Sequence, residues 1–215
     1  MLEKFSLTLA FVNILPLILL SVALVSIARM LNRKSEVLGE LSYAGITLVL
    51  AGNVLSAIGK LLNAKNGSNI TWMESSLLFF SAPGFVCLAW ATWRSKLKEL
   101  TAGKVWLLPI FFNGGLLALT AATKMVKGGQ TWQKLLLTVA TIASIALFLQ
   151  FALMALQHQR QVLAILFILS LGMSLALILH GNDHSAAAEW AQQISNTIAQ
   201  AVFAFAAIKL GKIES

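Results

Sequence analysis

The stretch AEWAQQISNTIAQAVFAF, residues 188–205, combines the apolar composition of a membrane helix with a series of polar side chains. Glu189, Gln193, Asn196 and Gln200 are spaced at i, i+4, i+7 and i+11. At about 100° per residue they share one helix face, which is about 17 Å long. Each unpaired amide in lipid would cost a few kcal/mol. The polar stripe therefore has to face other protein, which predicts a bundle of several membrane helices.

The composition of the whole chain supports this prediction. Of its 215 residues, 58% are hydrophobic and 11% are charged, whereas soluble domains average about 25% charged residues. A membrane-spanning helix needs about 20 mostly apolar residues, and seven segments meet this need. They are approximately 5–29, 38–62, 71–93, 105–124, 133–157, 161–180 and 186–208. The short loops between them predict an all-α polytopic membrane bundle of seven helices, with residues 1–215 as one domain.

The formal net charge of +8 is distributed unevenly along the chain. If the N-terminus is outside, ten of the 16 lysines and arginines, including every arginine, fall on the inner side. Positive loops favour the cytoplasmic side, so the pattern predicts an N-out, C-in topology. We attribute the excess charge to orientation and to anionic headgroups, and expect no nucleic-acid partner. The composition is typical of an integral protein of a bacterial inner (plasma) membrane.

Several segments together resemble the microbial rhodopsins, the retinal-binding heptahelical membrane proteins. The segments are YAGITLVLAGNVLSAIGKLL (43–62), WMESSLLFFSAP (72–83), the Asn113-Gly114 pair, the run from Val162-Leu163 to Gly181, and NTIAQAVFAF (196–205). In WMESSLLFFSAP, Trp72 precedes Pro83 by eleven residues. The resemblance extends over nearly the whole chain and is carried by small and apolar residues. It implies a rhodopsin-like arrangement of the seven helices.

The same resemblance implies that the photochemistry is missing. Gln200 occupies the position of the lysine that forms the retinal Schiff base, and an amide cannot condense with an aldehyde. Asn196 replaces a carboxylate of the last helix, while Leu77 and Leu88 occupy the proton-acceptor and proton-donor positions. Other changed positions are Glu74, in place of a conserved arginine, and Leu78, Leu171, Ser174 and Ile178, in place of aromatic residues around retinal. We therefore expect no covalent retinal and no cofactor.

The distribution of acidic residues argues against proton pumping without any reference to a family. Proton relays need ionisable groups near the middle of the bilayer. All eight acidic residues of this chain fall in loops, tails or terminal helical turns. They are Glu3, Glu36, Glu40, Glu74, Glu99, Asp183, Glu189 and Glu214.

Two interpretations of the mid-membrane amides remain open. Asn53 and Asn113 lie at depths comparable to that of the polar stripe. The first interpretation is a ligand-binding cavity, open to the outside, lined by Asn53, Asn113, Gln193, Asn196 and Gln200. The second is hydrogen bonding between helices, which amides and hydroxyls commonly provide in membranes.

Charged residues gather near the predicted outer rim at Lys60, Glu74, Lys124 and Glu189. They could select a charged solute, or simply snorkel to the interface and pair with one another. A further alternative is a metal bound by His180, Asp183 and His184, although Gly181-Asn182 places this H-x-x-D-H motif on a loop. We find no catalytic constellation, and thus expect a protein that is not an enzyme.

The leading hypothesis is a non-photoactive, rhodopsin-like membrane protein that binds, senses or transports a small polar or amphipathic ligand through the amide-lined cavity. The first alternative is a structural or assembly subunit that uses the polar face of the seventh helix as an interface. The second is a membrane hydrolase with the outer-rim His/Asp metal site. The expected partners are the lipid bilayer, a small-molecule ligand, and a second copy or another membrane protein.

Overall fold

A computed structural model describes Val12 and residues 14–66, 71–97, 102–127, 129–180 and 186–213. The described residues form seven α-helices and no strand. The helices are α1 (Ile14–Lys34), α2 (Glu36–Asn66), α3 (Thr71–Arg94), α4 (Ala102–Lys127), α5 (Thr131–Gln157), α6 (Gln161–His180) and α7 (Ala186–Ile213). Six of them are long and apolar enough to cross a membrane, and α6 contributes the shorter apolar stretch Gln161–Leu177. The prediction of an all-α bundle of membrane helices is confirmed at this level.

Two predicted helix ends, at 29 and 208, fall before the ends of the helices in the structure. Helix α1 continues to Lys34 rather than ending at 29, and α7 continues to Ile213 rather than ending at 208. Both extensions keep an apolar face packed, since Leu31 and Leu210 are fully buried. The basic side chains point away from this face, so a charged residue does not end the helix.

Six of the helices form a ring. Helix α1 packs against α2 and α7, and the ring continues through α2–α3, α3–α5, α5–α6 and α6–α7. Helix α4 lies outside the ring, with limited contacts to α5, α3 and α2. Its most apolar 18-residue window is 22% buried, compared with 50% for α3. Consecutive helices were expected to be close neighbours, and α4 departs most from this pattern.

Two prolines leave backbone carbonyls without a helical donor, and side chains of neighbouring helices supply the missing hydrogen bonds. Proline has no N–H group, so the carbonyl four residues before it loses its partner. The indole N–H of Trp90 in α3 donates to the Val105 carbonyl at 2.8 Å, four residues before Pro109. The Gln193 amide in α7 donates to the Val12 carbonyl at 3.2 Å, four residues before Pro16. These bonds fix α4 to α3 and α1 to α7.

The helix connections define two ends of the bundle, which we name after the predicted topology. The inner end contains the last turns of α1, α3 and α7, and the outer end contains their first turns. At the inner end, an Arg33 guanidinium N–H donates to the Gly211 carbonyl at 3.3 Å. The pKa of Lys96 is lowered there, first by partial burial and then by the positive charge of Lys34. The structure thus gathers basic side chains at one end of the bundle.

Candidate functional site

A cavity of about 180 Å³ lies between α1, α2, α3 and α7. Its polar lining comes from two helices: α2 contributes an amide, a hydroxyl and an ammonium group, and α7 contributes two amides. These residues are Asn53, Ser56, Lys60, Asn196 and Gln200. The apolar lining consists of Pro16, Leu17, Leu20, Ala57 and Leu77. We call this space the amide cavity.

The spacing of the polar residues explains why they meet in one space. Asn53, Ser56 and Lys60 are spaced at i, i+3 and i+7, so they lie on one face of α2. Asn196 and Gln200, at i and i+4, are neighbours on one face of α7. The contacts that α1 makes with both α2 and α7 bring the two faces together.

The amide cavity extends from the centre of the bundle toward the outer end. Gln200 lies near the middle of α7 and Asn53 near the middle of α2. Lys60 lies seven residues further along α2, about 10 Å closer to the outer end. One turn further inward, Leu24 of α1 and Val49 of α2 are fully buried in the apolar core. The cavity therefore has an apolar inner floor and a cationic outer part.

Part of the hydrogen-bonding capacity of the cavity amides is not used by the part of the chain that the structure describes. The Asn53 amide N–H donates to the Val49 carbonyl of its own helix at 2.8 Å, which leaves its side-chain oxygen available. The side-chain oxygen of Gln200 is buried and accepts no hydrogen bond from any described residue. A buried acceptor without a partner costs about 1–3 kcal/mol. Such groups in native proteins normally bind ordered water or a ligand.

Two of the five predicted cavity residues lie elsewhere. Asn113 donates from its amide to the Pro83 carbonyl and to the Cys87 Sγ, both at 3.4 Å, and so connects α4 to α3. Gln193 is 7% exposed and bonds to Val12. Both side chains form interhelical hydrogen bonds. Asn113 and Gln193 therefore fit the interpretation of interhelical hydrogen bonding, whereas Asn53, Asn196 and Gln200 line the cavity.

The predicted outer-rim residues do not converge on one site. Lys60 lines the amide cavity, whereas the Lys124 Nζ lies 5.5 Å from the centre of the Trp132 ring, on the other side of α3. Glu189 is half-buried in the first turn of α7 and does not line the amide cavity. Glu74 belongs to α3, but its side chain is outside the described part of the structure.

The proposed metal ligands fall largely outside the described residues. Asp183 and His184 are not described, and for His180 only its backbone position at the end of α6 is given. Within the described ranges, no three His, Cys, Asp or Glu side chains are grouped so that they could bind a metal ion.

Sequence reasoning missed one polar residue of the amide cavity and an entire second cavity. Ser56 could have been found by the periodicity test that was applied to α7, because it lies between Asn53 and Lys60 on the same face. The second cavity is an aromatic groove of about 940 Å³ between α3, α4 and α5, lined in part by Trp72, Phe79 and Trp132. No sequence signal pointed to it, since it exists only because α4 lies outside the ring.

Comparison with protein-family models, curated proteins and solved structures finds no match to this chain.

Proposed function

We propose that this chain is a non-photoactive membrane protein that binds a small polar ligand in the amide cavity, either to sense it or to transport it. We place it in the inner membrane of a bacterium, with its N-terminus outside. The observation that carries the proposal is the convergence of Asn53, Asn196 and Gln200 on one cavity near the middle of the bundle, where the Gln200 side-chain oxygen is buried without a hydrogen bond from any described residue. A ligand with an N–H or O–H group can donate to the free acceptors of this cavity. The oxygens of Asn113 and Gln150 are also buried without a described partner, so the convergence of three amides on one cavity is what distinguishes this site.

The lining also limits the chemistry of the ligand. The oxygens of Gln200 and Asn53 accept hydrogen bonds, so the deep end of the ligand should carry a donor such as an amide, hydroxyl or ammonium group. The Lys60 ammonium, further out, favours an acceptor or an anionic group at the other end. The volume of about 180 Å³ limits the ligand to a small solute. Small amides, polyols and zwitterions have this combination of groups.

The resemblance to microbial rhodopsins supports the non-photoactive part of the proposal. The residue at the position of the retinal lysine is Gln200, so retinal has no amine with which to form a Schiff base. We expect no red-shifted, hydroxylamine-sensitive absorption band after retinal is added to the purified protein. A band of this kind would contradict the non-photoactive assignment.

The two alternative functions have weaker structural support. An assembly interface on the polar face of α7 would need that face to point away from the bundle, yet Gln193 is buried and Gln200 lines an internal cavity. A hydrolase would need the His180, Asp183 and His184 cluster, whose side chains lie outside the described part of the structure. The amide cavity brings polar groups of two helices together near the middle of the bundle.

Thermal unfolding in detergent tests the proposal with four probes: acetamide, urea, glycerol and glycine. At least one probe should raise the melting temperature of the wild type and have no such effect on Gln200→Met. Gln150→Met is the matched control, because Gln150 also has a buried unpartnered oxygen but bonds to the Ala89 carbonyl outside the cavity. If Gln200→Met and Gln150→Met respond equally to every probe, the amide cavity is not the binding site.

A further inference from the structure

A third cavity lies at the inner end of the bundle, outside the proposed ligand site. It has a volume of about 710 Å³ and is bounded by the loop after α5, the first turn of α6 and the last turns of α7. Three cationic side chains line it, from Arg160, Lys209 and Lys212. Among the described residues that line it none is acidic, and α6 begins at Gln161, beside the cavity. The unpaired N–H groups of a helix N-terminus add further positive potential.

The other half of this cavity is apolar. Val162 is 70% exposed and Phe205 is 53% exposed, and both line the cavity. Along α7, Phe205 precedes Lys209 by one turn and Lys212 by two, so the apolar side faces the membrane and the cationic side faces the inner water. The Lys209 Nζ lies 5.6 Å from the centre of the Phe205 ring, which brings an ammonium group directly beside the apolar wall.

The loop that carries Arg160 has a specific backbone conformation. Two residues after the end of α5 at Gln157, Gln159 is in the left-handed region at φ 58. The Gln159 N–H bonds to the Leu156 carbonyl and the Arg160 N–H to the Ala155 carbonyl, both at 2.9 Å. This is the Schellman arrangement, which usually has glycine at the left-handed position. It joins the end of α5 at Gln157 to Arg160 through two residues, so the backbone position of this arginine is fixed relative to the start of α6.

We propose that this cavity binds the headgroup of an anionic phospholipid of the inner leaflet. The phosphate lies against Arg160, Lys209 and Lys212, and an acyl chain lies along Val162 and Phe205. The charge complementarity, and the order of apolar and cationic groups along α7, together favour a lipid over a free anion. Basic pockets between helices on the cytoplasmic side are suited to such headgroups.

The test uses the full-length protein, purified in detergent and stripped of lipid. Its thermal unfolding is followed as dioleoylphosphatidylglycerol or dioleoylphosphatidylcholine is added in mixed micelles. Phosphatidylglycerol should raise the melting temperature in a saturable way, and phosphatidylcholine should not. The double variant Arg160→Gln/Lys209→Gln should need a roughly thirtyfold higher phosphatidylglycerol concentration for half the effect, at about fivefold for each cation.

Lys124→Gln/Lys134→Gln is the matched control, because it removes two exposed cations at the outer end. It should keep the response of the wild type. If both double variants lose the response equally, the lipid acts through a general electrostatic effect and not through this cavity, and the proposal is wrong. If the Arg160/Lys209 variant responds like the wild type, the proposal is also wrong. If the double variant is unfolded in phosphatidylcholine, Lys209→Gln alone replaces it in the test. This single variant should need a roughly fivefold higher phosphatidylglycerol concentration for half the effect.

Two further measurements separate a lipid from a free anion. Inorganic phosphate, at the concentration of the lipid headgroup, should leave the melting temperature unchanged. The Val162→Asn variant should weaken the response to phosphatidylglycerol, because it makes part of the apolar wall polar. A phosphate response equal to that of the lipid, or an unchanged lipid response in Val162→Asn, would contradict the lipid assignment.

Discussion

Gly45 of α2 and Gly84 of α3 lie against each other where the two helices cross. A Cβ atom on Gly45 would lie 2.8 Å from the Gly84 carbonyl oxygen, and one on Gly84 would lie 2.7 Å from the Gly45 carbonyl oxygen. Small residues at such crossings let the backbones of membrane helices approach closely. The contact fixes α2 against α3, and these two helices contribute Asn53 and Leu77 to the amide cavity.

Gly84→Ala should therefore destabilise the protein. The added methyl group meets backbone atoms of α2, which cannot move aside as a flexible side chain can, and overpacking of this kind costs about 1–3 kcal/mol. Gly115→Ala is the matched control, because a Cβ atom there meets no atom within 4 Å. Thermal or denaturant-induced unfolding in detergent measures both. A Gly84→Ala protein as stable as the wild type would show that the crossing is looser than described.

Trp90→Phe should lower the free energy of unfolding by about 1–3 kcal/mol, because it leaves the buried Val105 carbonyl without a donor. Trp93→Phe is the control, since Trp93 is 46% exposed and stacks on the same Trp90 ring. A second test combines Trp90→Phe with Pro109→Ala. Residue 109 then regains an N–H group for the Val105 carbonyl, so the loss caused by Trp90→Phe should shrink. Equal losses with and without Pro109 would contradict the proposed compensation.

Gln193→Met should destabilise the ligand-free protein, and Gln200→Met should not. Gln193 supplies a hydrogen bond to the Val12 carbonyl, so its loss should destabilise the protein by about 1 kcal/mol. Gln200 holds a buried acceptor without a partner, so methionine there should be neutral or stabilising. Unfolding in detergent, without added solutes, measures both variants. Equal destabilisation by the two substitutions would mean that Gln200 also acts by interhelical bonding.

The N-out, C-in topology predicts which end of the bundle is accessible in intact cells. In a Cys87→Ser background, a membrane-impermeant maleimide should label Lys124→Cys, at the outer end of α4. Lys212→Cys, at the end of α7, should react only after the cells are lysed. The prediction follows from the positions of the arginines, which favour the cytoplasmic side. The opposite labelling pattern would reverse the assigned orientation.

The sequence predicts the axial positions of side chains well, but not which helices are neighbours. The spacing of Gln193, Asn196 and Gln200 was sufficient to place them on an inward face of α7. Asn53 and Asn113 have similar depths, yet only Asn53 reaches the amide cavity. The difference arises because α4 lies outside the ring, and depth along a helix contains no information about its position around the ring.

The crossing of α2 and α3 at Gly45 and Gly84 could not be predicted from the sequence either, and the same holds for the hydrogen bonds to the carbonyls that the prolines leave without a donor. Gly45 and Gly84 are separated by a loop, and their contact depends on the rotation of each helix about its axis. The bond between Trp90 and Val105 needs α3 and α4 to be close at their inner ends. Both features depend on tertiary packing, so they cannot be predicted from the periodicity of a single helix.

The most direct test of the central claim is the access of water-soluble reagents to the amide cavity. Asn196→Cys, Gln200→Cys and Asn113→Cys are each made in the Cys87→Ser background and treated with a small, charged methanethiosulfonate reagent. Asn196→Cys and Gln200→Cys should react from the outer side at least about tenfold faster than Asn113→Cys, because thiol modification requires access to water. If all three cysteines react equally slowly from both sides, the amides form a closed interhelical network and the cavity is not a binding site.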